Sequence, residues 1–108
     1  MTMVTAIVRF NVNKGASRQE VFESIAGSAG RFEGMPGLIR KNFLYDGERG
    51  VRGGVYTWET REAAEKVYAE GGPWRENIRN LCGADPDIEI FETPVIVDNE
   101  QGSIKSAA

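Results

Sequence analysis

The stretch from Met35 to Glu59, MPGLIRKNFLYDGERGVRGGVYTWE, constrains this chain most. Leu38 to Tyr45 and Val51 to Trp58 are rich in apolar, β-branched and aromatic residues, with Asp46-Gly47 and Gly50 between them. Two strand-like runs joined by residues that tolerate positive φ predict a β-hairpin. Met35-Pro36-Gly37 ends whatever precedes the hairpin and launches its first strand. Thr60, just after the second strand, is placed to cap a helix. The rest of the chain can be arranged around this unit.

Upstream, Met3 to Val12 alternates as a strand does. Val4, Ala6, Val8, Phe10 and Val12 share one face, and Met3, Thr5, Ile7, Arg9 and Asn11 share the other. Asn13-Lys14-Gly15 closes that strand. Ser17 is followed three residues later by Glu20, the spacing of a capping box. Val21, Phe22, Ile25, Ala26, Ala29 and Phe32 then recur at helical spacing, predicting a helix from Arg18 to Phe32. Gly27 and Gly30 inside it each cost about 1 kcal/mol relative to alanine. They read either as points of close approach or as a fraying last turn.

Downstream, Ala63, Ala64, Val67 and Tyr68 form the apolar stripe of a second helix, ended by Gly71-Gly72. Pro73 suits the first position of a further short helix carrying Trp74, Ile78 and Leu81. After a break at Gly83 to Pro86, Ile88 to Val97 reads as the last strand, in which Pro94 implies an edge, a bulge or a bend. Residues 1–98 are expected to form one domain, and Asn99 to Ala108 a polar, frayed tail.

The resulting order, β-α-β-β-α-β with the second helix broken in two, predicts a ferredoxin-like α+β fold: an antiparallel sheet with its helices on one face. Yet the strands carry apolar residues on both faces, Val4, Val8 and Phe10 against Met3 and Ile7 in the first. An uncovered face in water should be mostly polar. The expectation is a homodimer joined sheet to sheet, the alternative being a lone domain with some exposed apolar groups.

Composition narrows the function classes. Net charge is −3, from 13 Lys+Arg and 16 Asp+Glu, which offers no basic footprint for nucleic acid and no polybasic arm for a membrane. No apolar run approaches the length that spans a bilayer. Residues 1–12 read as a strand and not as a signal peptide. Cys82 is the only cysteine, which suits a reducing cytoplasm; near a helix end it reads as a small apolar group before a nucleophile. Histidine is absent, removing the commonest general base and metal ligand and any His-based triad. The glycines at 47, 50, 53 and 54 sit in and after a hairpin turn, whereas a dinucleotide fingerprint leads from a strand into a helix. No metal, haem, flavin or nicotinamide cofactor is expected.

The best site candidates are polar residues within the hairpin strands. If Tyr45 pairs with Val51, Arg40 faces Tyr56 and Asn42 faces Gly54, whose missing side chain leaves space. Leu38 and Trp58 then form an apolar floor. Arg40, Asn42 and Tyr56 are therefore the candidate catalytic residues, and Arg9, Trp58 and Trp74 the candidate substrate-binding residues. A mostly apolar pocket with few convergent polar groups suits a small ligand; a cross-strand cation–π pair on a solvated strand is the competing account. A register change of one residue would put Lys41, Phe43 and Tyr45 there instead.

The segments PGLIRKNF, GGVYTWETREAAEKVYAE and IFETPVIVDNE resemble the YdhR-like monooxygenases of the dimeric α+β barrel superfamily, which also holds the antibiotic-biosynthesis monooxygenases. The likeness extends over about residues 4 to 100. It implies a homodimer with a pocket between each sheet and its helices, and metal- and flavin-free oxygenation of a small aromatic substrate. Haem-degrading relatives use an axial histidine that this chain lacks. The leading expectation is a cofactor-independent monooxygenase for a phenolic or quinol-like substrate. The alternatives are a cyclase or isomerase of a polyketide-like or lactone substrate, and a non-enzymatic small-ligand-binding module.

Overall fold

The computed structural model describes residues 2–106. Its elements run β1 (Val4–Asn11), α1 (Arg18–Ala29), β2 (Leu38–Asp46), β3 (Val51–Trp58), α2 (Arg61–Tyr68), α3 (Pro73–Cys82), β4 (Asp87–Glu92), β5 (Val95–Asp98) and β6 (Ser103–Ser106). The first four strands form one antiparallel sheet in the order β2-β3-β1-β4, with the helices on one face. This is the ferredoxin-like arrangement expected from the element order.

Local chemistry starts and stops the elements where the residues dictate. Ser17 accepts the Glu20 amide while the Glu20 carboxylate accepts the Ser17 amide, so the capping box is complete. Thr60 caps α2 by accepting the Ala63 amide. Before β2, the Leu38 amide donates to the Met35 carbonyl across Pro36-Gly37, and Gly37 has φ +79°. A proline followed by a left-handed glycine is the sequence of a type II turn. α1 ends at Ala29, short of the expected Phe32, which instead sits in the turn beyond it.

The core lies between the sheet and the paired helices α2 and α3. Val4, Ala6 and Val8 of β1, Tyr56 and Trp58 of β3, and Ala64 and Tyr68 of α2 form its buried cluster. Trp58 stacks on Tyr56 with ring centres 6.0 Å apart, and its indole N–H donates to the Tyr68 hydroxyl at 3.0 Å. That bond matters because an indole N–H buried without a partner would cost about 1–3 kcal/mol. By contrast, α1 contributes only Val21 to the fully buried set. It rests over a cavity.

The hairpin departs from its expected register, with consequences for the site. Leu38 does face Trp58, but Arg40 faces Thr57, because Ile39 is an extra residue in β2. Such a bulge reverses the alternation of everything after it. Beyond Ile39, Lys41 faces Tyr56, Phe43 faces Gly54, Tyr45 faces Arg52, and Asp46 faces Val51. Two causes act together. The register turns the aromatic groups of Phe43 and Tyr45 toward the helices and leaves Arg40 and Asn42 to the other face. Asp46 also accepts the amides of Glu48 and Arg49 with its carboxylate, which makes it the last ladder residue and leaves a four-residue loop ending at Gly50, φ +64°.

The end of the chain differs too. The expected strand from Ile88 to Val97 breaks at Thr93-Pro94. Thr93 is tied to the start of the chain by its amide on the carbonyl of Met3, just before β1, and by a hydroxyl contact with Thr5. The chain then turns and makes a second hairpin, β5 with β6. The tail expected to fray therefore supplies a strand through Ser106; Ala107 and Ala108 lie outside the described residues. Its turn repeats the first one: Asp98 accepts the amides of Glu100 and Gln101, and Gly102 has φ +66°. Asp46-x-Glu-x-Gly50 and Asp98-x-Glu-x-Gly102 are the same device.

Candidate functional site

A cavity of about 150 Å³ opens between the sheet, α1 and α3. Its floor is Phe43, Lys41 and Tyr56 from the sheet, and its walls include Phe32, Trp74 and Ile78. Ser24 and Ser28 of α1 and Asn77 of α3 add neutral polar groups. Among the described residues its charged lining groups are Arg31, Lys41 and Arg52, and none is acidic.

Lys41 is set within aromatic rings. Its Nζ lies 3.5 Å from the ring centre of Phe32, 3.8 Å from that of Phe43 and 4.4 Å from that of Tyr56. Room for its stem comes from Gly54: a Cβ there would lie 3.1 Å from Lys41 Cε and 3.1 Å from the Asn42 carbonyl oxygen. Burial, reinforced by the nearby Arg52 guanidinium, lowers the Lys41 pKa to about 7. Arg52 is itself buried, donates to Ser24 Oγ at 3.2 Å and lies over Phe10. Among the described residues neither cation forms an ion pair with a carboxylate. Buried cations ordinarily have such a partner.

Tyr56 is the polar group at the centre. Its hydroxyl accepts the Trp74 indole N–H at 3.0 Å, and burial pushes its pKa well above the ordinary phenol value against the effect of that bond. It is a neutral phenol whose own proton is available to a ligand.

The residues expected at the site are thus divided between the two sheet faces. Tyr56 and Trp74 line the cavity together. Trp58 is fully buried in the core beside Tyr56 and does not line the cavity. Arg40 does not meet Tyr56: it lies beyond the bulge on the other face, 3.9 Å from Asp98 and 4.0 Å from Glu100. Asn42 faces Val55, not Gly54, and is exposed. Arg9 pairs with Glu89 at 2.9 Å on the outer face, each about half exposed. The sequence reading of this pocket lacked Arg52, Arg31 and the α1 serines. Strand alternation puts Arg52 on the same face of β3 as Gly54 and Tyr56, which is the available signal for it.

No protein-family model matches the chain, and neither does any curated protein. Solved structures do. A monooxygenase from the gene ActVA-Orf6 of Streptomyces coelicolor, solved with nanaomycin D, aligns with a TM-score of 0.66 at 16% identity over 89% of this chain and 91% of its own. SnoaB, a cofactor-independent oxygenase from Streptomyces nogalater, aligns with a TM-score of 0.60 at 22% identity, over 84% and 92%. A Nitrosomonas europaea protein of unknown function aligns with a TM-score of 0.66 at 17% identity, over 86% and 90%. The chain shares the fold of these proteins over most of its length and most of theirs.

Proposed function

We propose that this chain is a cofactor-independent monooxygenase for a small, acidic aromatic substrate, a phenol or hydroquinone. The observation that carries the reading is the cavity itself: aromatic walls around Lys41 and Arg52, with no acid among the described residues that line it. Arg52, and Lys41 whenever it is protonated, have no anionic partner here, and a phenolate supplies one. A phenolate is also electron-rich enough to donate to dioxygen directly. In the overall reaction one oxygen atom enters the ring, and the other leaves as water with two hydrogens from the substrate. The substrate supplies all the electrons. Trp74, Phe32 and Ile78 keep bulk water from the reacting atoms, and Tyr56 and Arg52 hold the developing oxyanion. The shared fold with ActVA-Orf6 and SnoaB supports this class of chemistry.

Cavity size favours a single ring. A volume of about 150 Å³ is the scale of an apolar cavity that takes one benzene molecule. This disfavours the polyketide cyclase reading, whose substrates have several fused rings. Within the superfamily, the Pro-Gly launch of β2 and the Gly-Gly-x-Tyr segment of β3 support placement with the YdhR-like branch. A homodimer goes with this reading. Ile7 and Val55 on the outer sheet face, and Val95, Val97 and Ile104 on the β5–β6 hairpin, are apolar groups that a second copy would cover. A reducing compartment suits the free Cys82. Dioxygen uptake on a panel of monocyclic hydroquinones tests the proposal. Turnover of one-ring substrates over anthrones is expected; uptake no faster than the uncatalysed oxidation across the panel would overturn it.

A further inference from the structure

The oxygenase reading requires a base, and the chain has no histidine to serve. Tyr56 is unsuitable, because its burial keeps the phenol protonated. Among the described residues no carboxylate lines the cavity. What remains is the amine at its centre. Lys41 Nζ is held over Phe32, Phe43 and Tyr56. Its position opposite Tyr56 on β3 comes from the bulge at Ile39, so the backbone aims it.

We propose that the Lys41 amine takes the hydroxyl proton of the bound phenol and that Arg52 stands beside the phenolate so formed. The step is balanced within the cavity. The substrate O–H bond breaks, an N–H bond forms on Nζ, and the electron pair stays on the phenolate oxygen. The new ammonium remains over the aromatic faces, which attract a cation. The site's net charge does not change. This assignment rests on the proposed oxygenase reading of the cavity.

The surroundings agree from each packed element. The other charged or titratable groups lining the cavity are Arg52 and Tyr56 from β3 and Arg31 from the turn after α1. α1 and α3 present serines, Trp74 and Asn77, which are uncharged. Positive neighbours and low polarity both favour the neutral amine, so Lys41 titrates near 7 and its free base is abundant at physiological pH. At lower pH the ammonium is already present and receives a phenolate from solution. In both cases the complex holds one proton between amine and phenol.

The probe is 4-nitrophenol, whose phenolate is coloured and which needs no oxygen chemistry. With the wild-type protein the bound ligand is expected to absorb as phenolate at pH values where the free ligand is still mostly protonated. Lys41→Met should bind it as the neutral phenol. Lys41→Arg keeps the charge but accepts no proton, so it should retain phenolate colour on binding. Its oxygen uptake with a neutral hydroquinone should nevertheless fall about a hundredfold, the usual scale of a lost general base. Uptake should recover when the pH is raised enough to ionise the substrate. If Lys41→Arg oxidises the neutral hydroquinone at the wild-type rate and pH profile, Lys41 acts only as a charge and the proposal fails. If nitrophenol binds but both variants leave its ionisation unchanged, the Lys41 assignment fails alone. If wild-type protein ionises nitrophenol but consumes no oxygen, the oxygenase reading fails and the proton transfer stands.

Discussion

Lys41 stands opposite Tyr56 across the β2–β3 ladder, its Nζ 4.4 Å from the centre of the tyrosine ring. The pair joins the buried core to the cavity. Tyr56 packs against Trp58, Tyr68 and Trp74 on one side and offers its ring to the amine on the other. Anything that perturbs Lys41 therefore reads out in both stability and binding.

Stability should depend on pH through Lys41. Its folded pKa, about 7, lies below that of an exposed lysine near 10.4, so above about pH 7 the unfolded chain binds more protons than the folded one. The contribution of this residue to unfolding free energy should rise with pH between about 7 and 10. Below that window the folded state carries the whole cost of the buried ammonium. Lys41→Met should be most stabilising at acid pH and lose that advantage toward pH 10, as measured by urea midpoints across the range.

Arg40→Met tests the bulge. Because Arg40 lies on the outer face near Asp98 and Glu100, its loss should leave nitrophenol binding unchanged, and stability should fall by less than about 1 kcal/mol. A drop in nitrophenol affinity like that of Lys41→Met would return Arg40 to the site and place the bulge elsewhere.

Two glycine substitutions should move in opposite directions. A Cβ at Gly53 would overlap the Val8 carbonyl oxygen, so Gly53→Ala should force β1 and β3 apart and destabilise by several kcal/mol, on the scale of severe backbone and packing disruptions. Gly27 in α1 has nothing within 4 Å of a built Cβ. Gly27→Ala should stabilise by about 0.5–1 kcal/mol through helix propensity. Thermal unfolding of both variants gives the comparison.

The hairpin at the end of the chain should carry self-association. Val97 and Ile104 are 64% and 72% exposed and face each other across β5–β6. Sedimentation equilibrium should give twice the chain mass for the wild type. The double variant Val97→Asp, Ile104→Lys should sediment as a monomer with an unchanged far-ultraviolet spectrum.

Local chemistry was enough for the element order as far as β4. Ser17 with Glu20, Thr60, Pro36-Gly37 and Pro73 act on neighbours in the chain through backbone groups a few residues away, so their consequences can be read from spacing alone. The second hairpin was not expected, although its Asp98-x-Glu-x-Gly102 turn repeats the first. Which side chains meet in the cavity was settled at longer range. An extra residue at Ile39 costs little locally and reverses every later side chain of β2, and no local signal marks it. The register follows from packing: it turns Phe43 and Tyr45 toward Phe32 and Phe22 of the helical layer, and leaves Arg40 to the acids of the β5–β6 hairpin. Tyr56 and Trp74 could be anticipated at the site because their strand and helix faces follow from periodicity. Lys41 was placed there by the tertiary structure, because only the assembled aromatic layer makes that parity the lower in free energy.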